Sequence, residues 1–171
     1  MRKRFFTWWL ACAAVVPLIA AQPVLAQTIS AGNVAGIAEV GVKFSEPVDT
    51  ASAQTANKYT VAGVAVSEAY LEDPLGEVVI LITSGVPAAG AQVTVSAVAT
   101  VAGGSISGST TLDTVDATSE ALGEAGVDPG IPGYANYLGG GAYNIEAGGS
   151  DIWGNDDAGH WLHAPQSGDF D

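Results

Sequence analysis

The sequence predicts an all-β fold, a sandwich of antiparallel sheets, and three observations predict it. First, "EVGVKF" (residues 39–44) and "QVTVSAV" (residues 92–98) alternate with period two, the mark of half-buried strands. In the former, Val40, Val42 and Phe44 face one way and Glu39, Gly41 and Lys43 the other. In the latter, Val93, Val95 and Ala97 are expected to face inward. Second, "VVILI" (residues 78–82) is apolar without alternation, as expected of a strand covered on both faces or central in the sandwich. Third, turn signals separate the strands at short spacing: "SEP", "EDPLGE", "GVPAAGA" and "VAGGS".

The elements follow in order. Residues 1–26 read as a secretory signal. Arg2, Lys3 and Arg4 form a positive start, an apolar run follows, and "VLA" places compact residues before a cut after Ala26. Pro17 and Pro23 break the run and argue against an uncleaved membrane anchor. A lipoprotein cut before Cys12 would truncate the apolar core. The expected mature chain starts at Gln27, is secreted or held at the cell surface, and has no membrane span. Cleavage removes Cys12, the single cysteine, so no disulfide is expected despite export. It also leaves Lys43 and Lys58 as the only cationic side chains against 18 carboxylates. Such a polyanion repels phosphate backbones and anionic headgroups, which excludes nucleic acid and anionic membrane surfaces as expected partners.

Residues 27–108 then carry the short strands, with "KYTVAG" and "VAVSEAYLE" beside those above. "DTASAQTANKY" interrupts them. Asp49 can cap a short helical turn there, which would cross from one sheet to the other. Residues 109–120 are polar and read as a linker or an extended final strand. Residues 121–171 are Gly-rich with interleaved aromatics. "GYANY" and "AYNIEA" are expected to pair across "LGGG" as a hairpin. "DIWG", "GHWLHA" and the turn "PQSG" follow.

Two stretches resemble known families. "VKFSEPVDTASAQTANKYTV", followed by "VVILITSG" and "AQVTVSAV", is similar to bacterial Ig-like domains of S-layer type, over roughly residues 30–108. The resemblance implies an Ig-like β-sandwich that serves as a spacer or binding platform and carries no catalytic site. "GGSDIWGNDDAGHWLH" and "GDF" resemble the N-terminal part of a concanavalin A-like jelly roll, over about residues 121–171. The implied fold is all-β, an Ig-like β-sandwich plus an incomplete β jelly-roll segment, since a whole sandwich of the second kind needs on the order of 150 residues. The chain is accordingly expected to be a fragment. Residues 27–108 are expected to fold alone and residues 121–171 are not.

Few residues suggest chemistry. Asp151, Asn155, Asp156 and Asp157 could cluster oxygen ligands for calcium. The competing reading is a turn that Gly, Asn and Asp favour for local reasons. Calcium is the candidate cofactor, and weak binding at most is expected. His160 and His163 stand at i, i+3, which on a strand points them to opposite faces and argues against shared zinc. Trp153 and Trp161, with Tyr134, Tyr137 and Tyr143, could stack on sugar rings, although such aromatics more often fill a sheet core. Glu39, Glu46, Glu68 and Glu72 read as scattered surface carboxylates rather than a glycosidase pair. No nucleophile elbow, phosphate loop or HExxH stands in the sequence, and no catalytic residue is named. The expected function is an exported, non-catalytic adhesion, spacer or carbohydrate-recognition module, with extracellular polysaccharide or a surface protein as partner. The alternative is the accessory region of an extracellular polysaccharide-degrading enzyme.

Overall fold

Tyr59, Val61, Val93, Val95, Val98 and Ile106 from one sheet meet Val40, Val42, Phe44, Val79 and Leu81 from another in a single buried cluster. This is the core of a two-layer β-sandwich. A computed structural model describes residues 27–72, 75–122, 134–146 and 159–165. The strands in chain order are β1 (Ile29–Val34), β2 (Glu39–Phe44), β3 (Tyr59–Val61), β4 (Val66–Leu71), β5 (Val78–Thr83), β6 (Gln92–Ala99), β7 (Ser105–Thr111) and β8 (Asp113–Val115). After them come β9 (Thr118–Leu122), β10 (Tyr134–Gly139), β11 (Ala142–Glu146) and β12 (Gly159–His163). One layer has the order β4-β5-β2-β1-β8 and the other β3-β6-β7; β10–β11 and β9–β12 form two further ladders. The fold is all-β. Among the described residues no helix is long and apolar enough to cross a membrane.

The period-two reading of β2 holds. Val40, Val42 and Phe44 are buried and Lys43 is exposed. The connection from β2 to β3 is the expected crossing between layers. It is a short helix α1 (Thr50–Ala53) followed by a 3₁₀ turn (Ala56–Lys58). Asp49 caps α1, its carboxylate accepting from the Ser52 amide at 2.9 Å. Ser52 in turn accepts from the Ala99 amide at 2.8 Å and the Lys58 ammonium at 2.5 Å, tying the crossing to β6. The Tyr59 hydroxyl donates to the Ala53 carbonyl at 2.7 Å, and burial pushes its phenol above the ordinary range. Asp49→Ala removes a cap acceptor and is expected to cost about 1 kcal/mol, read by urea melts; an unchanged midpoint would mean that water replaces the carboxylate.

In β6 the expected inward set fails at its third member. Val93 and Val95 are buried, but Ala97 is exposed and Val98 takes the core position. The reason is a β-bulge. Pairing with β7 shifts between Val95 and Val98, which face Gly108 and Ile106. One extra residue flips the alternation. Ala97 sits at φ 50°, a left-handed conformation that costs a non-glycine residue roughly 1 kcal/mol. Its amide donates to Ser107 Oγ and its carbonyl accepts from Lys58 Nζ, both at 2.8 Å, which holds the bulge.

Residues 109–120 are largely strand. β7 extends to Thr111, Leu112 is buried in the main core, and β8 runs parallel to β1. Parts of three strands, β7, β8 and β9, run through this stretch. Asn33, buried on β1, accepts from Thr114 Oγ1 at 2.7 Å and so helps fix that parallel pair.

Candidate functional site

A strand covered on both faces needs two covers. On β5, Val79 and Leu81 face the core, while Val78 and Ile80 face outward and are still buried. The outer cover is Leu138, supplied by the β10–β11 hairpin. This docking site is the most elaborate feature of the described residues, and each part of it has a local cause.

The hairpin is dictated by "GGG". Gly140 and Gly141 join the strands with φ of 61° and 80°, the pair of positive angles that a type I′ turn needs and glycine gives freely. Pairing shifts between Tyr137 and Gly139, so Leu138 bulges out of the ladder. Its side chain fills the apolar strip of β5. Beneath β10, the outer face of the sheet is notched. A Cβ on Gly41 would stand 2.6 Å from the Tyr137 carbonyl oxygen and from a Leu138 methyl. One on Gly32 would overlap the Gly139 amide nitrogen and the Tyr137 ring. The two backbones can approach because neither side chain exists.

Polar contacts pin the notch. Ser30 Oγ donates to the Leu138 carbonyl at 2.9 Å, and Asn136 Nδ2 donates to Glu39 at 3.0 Å. Asp113 on β8 holds the hairpin turn. Its carboxylate accepts from the Tyr137 hydroxyl at 2.5 Å and from the Gly140 amide at 3.0 Å. The Gly141 amide donates back to the Tyr137 oxygen at 3.0 Å. Tyr137 also packs on Tyr143, ring centres 4.9 Å apart and tilted by 43°. The Tyr137 hydroxyl, helped by the Gly140 amide, holds the Asp113 carboxyl below the usual carboxylate range, while Asp113 pushes the Tyr137 phenol up.

Those directions fix a pH window. Asp113 is lowered in the folded state, so its contribution is complete above the ordinary carboxylate value and lost as pH falls through the folded value. Tyr137 is raised, so its contribution is complete below the ordinary phenol value and lost as pH rises through the folded one. Hairpin docking is therefore expected to be flat between about pH 5 and 9 and to weaken at both extremes. Amide exchange of residues 134–146 across pH, corrected for intrinsic rates, measures it. Asp113→Asn should abolish the acid limb; an acid limb that survives this change would place the titrating group elsewhere.

The sequence-predicted site residues are placed as follows. Asp151, Asn155, Asp156, Asp157 and Trp153, the calcium and sugar candidates, lie outside the described residues. Trp161 is on β12, opposite Glu120 of β9, with His160 opposite Ala121. Tyr137 is buried in the docking site, whereas Tyr143 stands 42% exposed. No group of three or more His, Cys, Asp or Glu able to hold a metal occurs among the described residues. Sequence reasoning missed Ser30, Gly32, Gly41 and Asp113. The available signal was a glycine inside each of two neighbouring strands, which marks close backbone approach.

No family model matches the chain, and no curated protein matches it. Among solved structures, the chain is similar to an L,D-transpeptidase from Mycobacterium smegmatis at 22% identity with a TM-score of 0.29. The likeness covers 70% of this chain and 50% of that one, so the chain spans about half the length of the structure it matches. At that score the likeness carries no functional inference.

Proposed function

We propose that the chain is an exported, non-catalytic structural module, a spacer or adhesion segment whose partner is an extracellular polysaccharide or surface protein. The observation that supports this reading most is the docking of β10–β11 into the glycine notch, fixed by Ser30, Glu39 and Asp113. A spacer has to transmit position, and this contact couples the sandwich to the segment after it as one stiff unit. The Ig-like and jelly-roll identities belong to the same proposal and rest on the motifs in residues 30–108 and 121–171. Export rests on the first 26 residues, read as a signal.

Expression in a bacterial host tests the reading. The protein is expected outside the cytoplasm with Gln27 at its N-terminus. It is expected to co-sediment with cell envelopes or insoluble polysaccharide and to release no reducing sugar from them. Cytoplasmic retention with Trp8 and Trp9 still attached, or polysaccharide cleavage by the purified chain, would overturn the proposal.

A further inference from the structure

The first residue of the proposed mature chain is a glutamine, and the fold sets a carboxylate against its side chain. Gln27 is exposed and stands just ahead of β1. Its neighbour Thr28 holds it in place. The Thr28 amide donates to Ser45 Oγ at 3.0 Å, and the Thr28 carbonyl accepts from the Ser45 amide at 3.1 Å. That double tie lays Gln27 beside the residue after Ser45, the half-buried Glu46. Gln27 Nε2 donates to Glu46 Oε1 at 2.6 Å. The turn between β6 and β7 closes the other side, where a Cβ on Gly104 would stand 3.8 Å from Nε2.

An N-terminal glutamine carries both partners of a ring closure. A cut after Ala26 frees its α-nitrogen, which in the neutral amine form attacks the side-chain Cδ. One C–N bond forms, a proton passes from the attacking nitrogen to Nε2, the Cδ–Nε2 bond breaks, and Nε2 leaves as ammonia. Nothing is oxidised or reduced, and no co-reactant is consumed. The demanding part is the proton transfer, because Nε2 departs as ammonia only after gaining that proton. A group held at the reacting atoms that accepts a proton and returns it speeds such a step. The Glu46 carboxylate stands at the leaving nitrogen, placed to take the proton from the attacking amine, give it to Nε2 and end unchanged.

We infer that Gln27 is a modification site: the folded chain closes it to the cyclic lactam, pyroglutamate, with Glu46 as the proton carrier. The inference rests on the export reading, which supplies the free α-nitrogen. The lactam removes the terminal ammonium and the Nε2 donor, so Glu46 loses this contact. It also closes the exposed end of the chain to aminopeptidases, which need a free α-amine. Chain ends are where exported proteins are most open to such trimming.

The mature chain, released at Gln27 from an N-terminal fusion and kept cold until use, tests the chemistry apart from export. It is warmed at neutral pH and its intact mass is followed for the loss of one ammonia. The reference is a synthetic peptide of residues 27–32, which has the same glutamine and no Glu46. The folded chain is expected to cyclise about tenfold faster than the peptide, a modest share of what a positioned acid–base group supplies. Glu46→Gln should fall to the peptide's rate with an unchanged melting midpoint. A folded chain no faster than the peptide overturns the inference, and so does a Glu46→Gln chain as fast as the wild type. The exported protein gives the second arm, where a mass one ammonia short of the chain from Gln27 is expected. An exported chain that begins at Gln27 and keeps it open overturns the inference and leaves the export reading standing. A different N-terminus overturns the export reading, and with it the lactam in the cell, whatever the rates of the released chain.

Discussion

Leu81→Ala is expected to lower the free energy of unfolding by about 3 kcal/mol, a core leucine truncation that leaves a cavity. Leu81 has no exposed surface and lies at the centre of the main cluster, opposite Val40 on β2 and Ala69 on β4. Neighbours on both flanks are themselves pinned in ladders, so the site cannot collapse to fill the hole. The midpoint of thermal unfolding should fall by roughly 10 °C for a chain of this size. Ile82, half-buried on the outward side of the same strand, gives the contrast. Its truncation is expected to cost about 1 kcal/mol, by the area it buries. Equal losses at the two positions would mean that the inner and outer faces of β5 are packed alike.

Gly41→Val should release the hairpin and leave the sandwich standing. The added side chain meets backbone, the Tyr137 carbonyl, which cannot rotate away. Overpacking of this kind costs about 2 kcal/mol, equivalent to about a thirtyfold shift in the docking equilibrium. Amide exchange in residues 134–146 should quicken by that factor while β5 and β6 stay protected. Gly85→Ala is the control, since a Cβ there meets nothing within 4 Å, and it should move stability by less than about 0.5 kcal/mol. If Gly41→Val slowed or failed to change hairpin exchange, the notch would not be what holds it.

Much of this architecture is legible in the residues. Val40, Val42 and Phe44 declare a face by alternation, and Asp49 ahead of an alanine-rich stretch declares a cap. The glycines at 140 and 141 declare a tight hairpin. What escaped is what depends on partners distant in the chain. β1, "ISAGNV", carries the branched side chains that mark a strand only at its two ends, Ile29 and Val34. It is a strand because β2 and β8 flank it, and it is small because β10 lies over it. The bulge at Ala97 shows only in the register with β7, where the step from Val95 to Val98 faces the shorter step from Gly108 to Ile106. Asp113 looks like one more surface acid among 18; its role exists only once Tyr137 and the Gly140 amide, 24 and 27 positions later, come to rest on it.

The parallel pairing of β1 with β8 has a mechanical side. Gly32, Asn33 and Val34 align with Asp113, Thr114 and Val115 in the same direction. The chain therefore enters the sandwich at one end of this pair and leaves at the other. A pull on the two ends acts along the strands in opposite senses and loads their hydrogen bonds together, in shear, instead of peeling them one at a time. Antiparallel terminal strands would open like a zipper under the same pull. Rupture under load is governed by the unfolding barrier rather than by equilibrium stability, so the short β1–β8 seam, with Asn33 and Thr114 stitched across it, bears the load in shear once the docked hairpin has been pulled away.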